Sequence, residues 1–170
     1  SGAVRDAMIR AGHNAMSCDL LPTDVPGPHF QGDVMEIIED EWDMMIVFPP
    51  CTYLCSSGLH WNKRVVGRTE KTESALRFVR LLLAADIPRI ALENPVGCIS
   101  TRIRKADQII HPWQFGHPES KTTCLWFKGL PLLTPTNILT RPVSGHWHNQ
   151  TPSGQNKLGP SADRWKERSK

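Results

Sequence analysis

Apolar residues recur along this chain in two rhythms, and each rhythm predicts a different kind of element. Val4, Ala7, Met8 and Ala11 fall at helical spacing, and Gly12 suits the stop after them. Residues 15–18 read as a short strand that ends at Asp19. Residues 20–31 are rich in Pro and Gly and read as a loop. Asp33 is placed to cap a short helix through Ile38. Residues 42–48 form a continuous apolar run, the pattern of a strand buried on both faces. The clearest helix covers residues 69–85, with Ala75, Leu76, Phe78, Val79, Leu82 and Leu83 on a broad apolar surface and Thr69 or Thr72 as its cap. Residues 87–92 are the next buried strand.

Strand, helix, strand with short connections implies a right-handed parallel crossover. The alternation over the whole chain predicts an α/β domain with a mostly parallel, doubly wound sheet. Between the run at 42–48 and the long helix, residues 49–67 form a long irregular segment, and loops of that length are usually functional. After Cys98, Ile109-Ile110 and residues 122–127 are strand candidates. From Pro131 the chain is expected to be mostly loop, with residues 141–170 a loop-rich tail of the same domain. Ser1-Gly2-Ala3 reads as the end of a turn entering a helix, so the α/β domain is expected to lack its first strand here. Arg164-Trp165-Lys166 reads as a helix entry with no helix after it.

The 170 residues are enough for one domain with a real core. No apolar run approaches the roughly 20 residues that span a bilayer, and no signal peptide opens the chain; a cytoplasmic protein is expected. The net charge of +3 permits a polyanionic partner without demanding one. Basic residues cluster at Lys63-Arg64, Arg68, Arg102 to Lys105, and in the tail from Lys157. Solvated loops are the plainer explanation for each cluster. Five cysteines at irregular spacing are expected as free thiols rather than a disulfide framework.

The chemistry gathers at two strand ends. Cys51 stands in Phe48-Pro49-Pro50-Cys51, directly after one apolar run. Glu93 and Asn94 follow the other, with Pro95 holding Asn94 extended. Ligands of open α/β sheets bind at the carboxyl ends of the strands. A thiol is activated there by positive charge and N–H donors, and a partly desolvated carboxyl can donate a proton near neutrality. The plainer readings are a buried small cysteine and a strand-end Glu that caps a neighbouring helix or pairs with an Arg. Asp19 and Asp33 are candidates for ribose and adenine contacts, or equally for helix caps. Cys51, Cys55 and His60 have only marginal spacing for zinc, and no metal site is expected. The His146/His148 pair and the Asn149-Gln150-Thr151 sequon carry no chemistry in this reading.

Together these residues resemble the DNA cytosine-5 methyltransferase family, and within it the compact phage and prophage relatives. The likeness runs through Ser1-Gly2-Ala3-Val4-Arg5-Asp6-Ala7, Gly12-His13-Asn14-Ala15-Met16-Ser17-Cys18-Asp19-Leu20, Gly32-Asp33, Pro49-Pro50-Cys51, Glu93-Asn94 and the segment from Phe115 to Trp126, in the family's order. It covers the chain to about Pro135. The resemblance implies a Rossmann-like S-adenosylmethionine-dependent fold over residues 1–140. It implies S-adenosyl-L-methionine as cofactor, with Gly2, Asp19, Asp33 and Pro49 at its site. It implies Cys51, Glu93 and Asn94 as catalytic residues, and Pro50, Lys121 and Thr122 against the cytosine. Cys51 would attack C6, Glu93 would hold N3, and C5 would take the methyl group of a base flipped out of DNA. Residues 128–156 are too short and Pro-rich for the family's target-recognition region, and Pro95 stands where most members have valine. A free pyrimidine nucleotide therefore stays open as substrate beside DNA, as does a non-catalytic nucleic-acid-binding role.

Overall fold

In the computed structural model, the described residues are 2–119 and 121–140. They form two compact units, one in residues 2–40 and one in residues 41–140. The described residues are mixed α/β, and their strands lie in two sheets rather than one. The expected tail, with the His146/His148 pair, the sequon, the basic run from Lys157 and the helix entry at Arg164, lies outside the described residues.

The first unit opens with helix α1 (Ala3–Arg10). Strands β1 (Ser17–Asp19) and β2 (His29–Gln31) follow and pair in parallel. Strand β2 falls in the stretch expected to be loop. Its three residues, flanked by Pro and Gly, are too few to show alternation. Asp33 caps a 3-10 turn (Val34–Glu36) as a capping box, with Met35 N–H donating to its carboxylate and Glu36 reaching back to its N–H.

Arg5 is the centre of this unit. It is 3% exposed, pairs with Asp6 at 2.7 Å, and donates to the Pro26 carbonyl at 2.8 Å. A buried guanidinium needs such partners because desolvating a charge is costly. The approach also requires Gly27, whose φ is +140° and whose added Cβ would stand 2.5 Å from the Arg5 guanidinium carbon.

The second unit holds a four-stranded sheet in the order β3 (Met44–Val47), β4 (Arg89–Pro95), β6 (Thr123–Lys128), β5 (Gln108–Ile110). Strands β3 and β4 are parallel and joined through helix α3 (Arg68–Ala84), as the strand-helix-strand pattern implied. Strands β6 and β5 add antiparallel to the far side of β4. Two corrections concern the strands. Strand β3 is an edge strand whose four residues are half-buried, so its apolar run does not report burial on both faces. Strand β4 runs on through Glu93, Asn94 and Pro95, which pair with Leu125, Cys124 and Thr123.

Helix α3 buries Thr72, Leu76, Val79 and Leu82, one stripe at helical spacing. Its cap is Gly67 rather than Thr69 or Thr72. Ile90 and Leu92 from β4, Ile99 from helix α4 (Ile99–Arg102), Leu54, Ile87 and Trp126 complete the apolar core. Residues 49–67 are not irregular throughout. They hold a 3-10 turn (Cys51–Tyr53), the short helix α2 (Ser56–Leu59) and a second 3-10 turn (His60–Lys63). Each is a single turn, below the length at which apolar periodicity can be read.

Candidate active site

Parallel register brings the thiol and the carboxyl to one end of the sheet. Val47 pairs with Leu92, so the chain leaves β3 beside Glu93 and Asn94. Asn94 Nδ2 donates to the Pro49 carbonyl at 2.8 Å and ties that exit down. Pro50 then leads into the turn whose first residue is Cys51. On the other side of β4 the antiparallel pairing of Pro95 with Thr123 brings the chain before β6 to the same end. Lys121 lies there, and its Nζ meets Glu93 Oε1 at 3.1 Å.

Cys51 is exposed and free. Partial burial pushes its thiol above the ordinary 9.0, Cys55 adds to the rise, and the Lys121 charge pulls the other way. The expected lowering of this thiol is therefore absent. Desolvation outweighs the cation, and deprotonation has to be assisted when Cys51 reacts. Glu93 is half-buried and ion-paired, not alone in an apolar pocket. Behind it, burial and then the Glu93 charge raise the thiol of Cys124.

Successive residues of a strand face opposite sides. Asn94 shares the buried face with Ile90 and Leu92, while Glu93 lies on the other. Asn94 is 1% exposed, and it holds Pro49, and through Pro49 the approach to Cys51. Its Oδ1 has no hydrogen-bond partner among the described residues. Pro49 is buried, Pro50 is exposed, and Thr122 is half-buried just before β6. A cavity of about 310 Å³ lies between Pro49, Pro50, Tyr53 and the Lys71–Phe78 face of α3, and neither Cys51 nor Glu93 lines it.

Asp19 and Asp33 stand at the carboxyl ends of the adjacent parallel strands β1 and β2, in the first unit. Both are exposed. Each gives one carboxylate oxygen to the main chain, Asp19 to Leu21 N–H and Asp33 to Met35 N–H, both at 3.0 Å. Both alternatives drawn for them, local cap and ligand acceptor, are chemically compatible in this arrangement. Gly2 is buried, and the space a side chain would take there is filled by Arg5 and Val25.

Three residues that hold the Cys51 turn were missed. Thr72 Oγ1 donates to the Tyr53 carbonyl at 3.0 Å and accepts from Asn62 Nδ2 at 2.9 Å. Arg68 donates to the Thr52 carbonyl at 3.0 Å and lies over the Tyr53 ring at 4.9 Å. The signal was legible for one of them: Thr72 precedes Leu76 by four and Val79 by seven, a hydroxyl inside an apolar stripe.

Among the described residues no three metal-binding side chains lie together, so Cys51, Cys55 and His60 do not form a zinc cluster. No described helix is long and apolar enough to cross a membrane. Compared with known proteins, the chain matches no family model, no curated protein and no solved structure.

Proposed function

We propose that this chain is a Rossmann-like methyltransferase that modifies C5 of cytosine in DNA through a covalent bond to Cys51. The observation that carries the reading is the meeting of three groups at one sheet end: the exposed Cys51 thiol, the Glu93 carboxylate and the Lys121 ammonium. The motif resemblance supplies the reaction, and the geometry supports it.

Cytosine C6 becomes electrophilic when the N3 and O2 side of the ring is hydrogen-bonded. Glu93 and Lys121 are suited to that side, with Lys121 stabilising charge that develops there. The Cys51 thiol gives its proton to solvent base, its sulfur bonds to C6, and the electron pair of the C5–C6 double bond moves to C5. S-adenosylmethionine, when bound, supplies the electrophilic methyl group that C5 takes. Within the first unit, Asp19 and Asp33 are exposed acceptors that suit the hydroxyl and amino groups of a nucleoside. Loss of the C5 proton to solvent base then restores the double bond, and Cys51 leaves as thiolate.

DNA is favoured over a free nucleotide by the surface that follows Cys51. Arg64 lies 5.7 Å from the Trp61 ring, and Lys71 lies 5.7 Å from the Tyr53 ring that Arg68 also covers. Cations interleaved with aromatic faces suit a phosphate backbone and unstacked bases.

The test is methyl transfer from labelled cofactor to unmethylated duplex DNA and, separately, to a free cytosine nucleotide. DNA is expected to take label, Cys51→Ala to abolish transfer, and a 5-fluorocytosine duplex to trap a covalent adduct. Cofactor binding without label on either substrate overturns the reading. Label on the nucleotide alone selects the smaller substrate.

A further inference from the structure

We propose that Cys51 and Cys55 are an oxidation-sensitive dithiol, and that a disulfide between them masks the Cys51 sulfur. The Cys55 N–H donates to the Cys51 carbonyl at 2.9 Å and closes one helical turn. Residues four apart on such a turn share a face, with Cα atoms about 6 Å apart by helix geometry. That separation lies inside the range a disulfide spans. Cys55 lies near enough to help raise the Cys51 thiol, and its Sγ lies 3.2 Å from Ser57 Oγ.

Access singles out this pair. Cys51 is exposed and Cys55 half-exposed, whereas Cys98 and Cys124 are buried. Both belong to the second unit, unlike Cys18. The bond would close a very short loop, which adds little chain-entropy stabilisation, so reduction is not strongly opposed.

Hydrogen peroxide is a sufficient oxidant. The Cys51 thiolate takes one peroxide oxygen to give a sulfenic acid, with release of hydroxide, which takes up a proton to become water. Cys55 then attacks the Cys51 sulfur, a second water leaves, and each cysteine has lost one hydrogen. A dithiol reductant reverses the bond by exchange.

The loss of methyl transfer on oxidation rests on the function proposed above; the bond itself does not. The experiment treats the full chain with hydrogen peroxide and reads intact mass, iodoacetamide uptake and chymotryptic peptides. Cleavage after Tyr53 or Leu54 separates the two cysteines, so a bond appears as two linked peptides. The expected result is a loss of two hydrogen atoms, two fewer alkylated thiols, a Cys51–Cys55 link, and full reversal by dithiothreitol. In Cys55→Ser, Cys51 is expected to stop at a sulfenic acid that a 1,3-dione traps. Oxidised wild type that still alkylates at Cys51, or that links Cys51 to another cysteine, overturns the proposal. A reversible link in a protein that transfers no methyl group in either redox state leaves this inference standing and removes the function. Methyl transfer without a link does the opposite.

Discussion

The two units of this chain are held together by different physics. In residues 41–140 a helix stripe, a central strand and Trp126 bury one another, and the interior is apolar. In residues 2–40 the only buried large apolar side chain is Ile38, and the most buried side chain is that of Arg5. One unit rests on area removed from water, the other on a charged group wired to its own loops. An apolar interior tolerates no missing volume, whereas a hydrogen-bonded centre depends on each partner being present.

The largest effect is expected from Trp126→Ala. The indole is fully buried and donates to the Arg104 carbonyl at 2.9 Å. Its loss should cost about 3–5 kcal/mol by denaturant unfolding, reported by probes in the second unit. A cost under about 1 kcal/mol would deny that unit its apolar basis.

Arg5→Ala should cost less, about 1–3 kcal/mol, because it strands the Pro26 carbonyl and frees Asp6. Amide hydrogen exchange should show the loosening across β1 and β2. Asp33→Ala should cost about 1 kcal/mol through the lost cap, again in the first unit.

Two titrations sharpen the picture of the second unit. Burial alone would raise the Asp107 carboxyl, but the Phe127 N–H and Arg104 outweigh it and hold it below 3.8. The unfolded chain binds that proton more readily, so the stabilisation is complete above 3.8 and drains away as pH falls through the folded value. Asp107→Asn should flatten this acid slope in unfolding curves. For Cys51, the alkylation rate should rise with an inflection above 9.0, and Lys121→Met should move it higher, because a cation that favours the thiolate is gone. An inflection below 9.0 would reverse the balance drawn between burial and charge.

Long elements could be read directly from residue order. The 69–85 pattern is α3 to within one residue at each end, and the candidates near Ile109 and in 122–127 are β5 and β6. One-turn elements could not, since β2 and the turns after Cys51 are shorter than the periods that would reveal them. Thr72 stands between these cases: its place in the apolar stripe was legible, and its partners were not. As a hydroxyl near the start of a helix it reads as a cap, yet it is buried under Tyr53 and Asn62.

Residue order alone determined which groups are candidates for chemistry and that two of them follow apolar runs: Cys51 after one, Glu93 after the other. Tertiary structure decided what those groups meet. Strand pairing set the register that brings Lys121 to Glu93, and strand alternation turned Asn94 inward while Glu93 faced out. It also decided that burial, not the nearby cation, governs the Cys51 thiol. Hydrophobic periodicity is a local property and survives in a linear string. Partners, faces and desolvation depend on segments distant in the chain, and they exist only once those segments have packed.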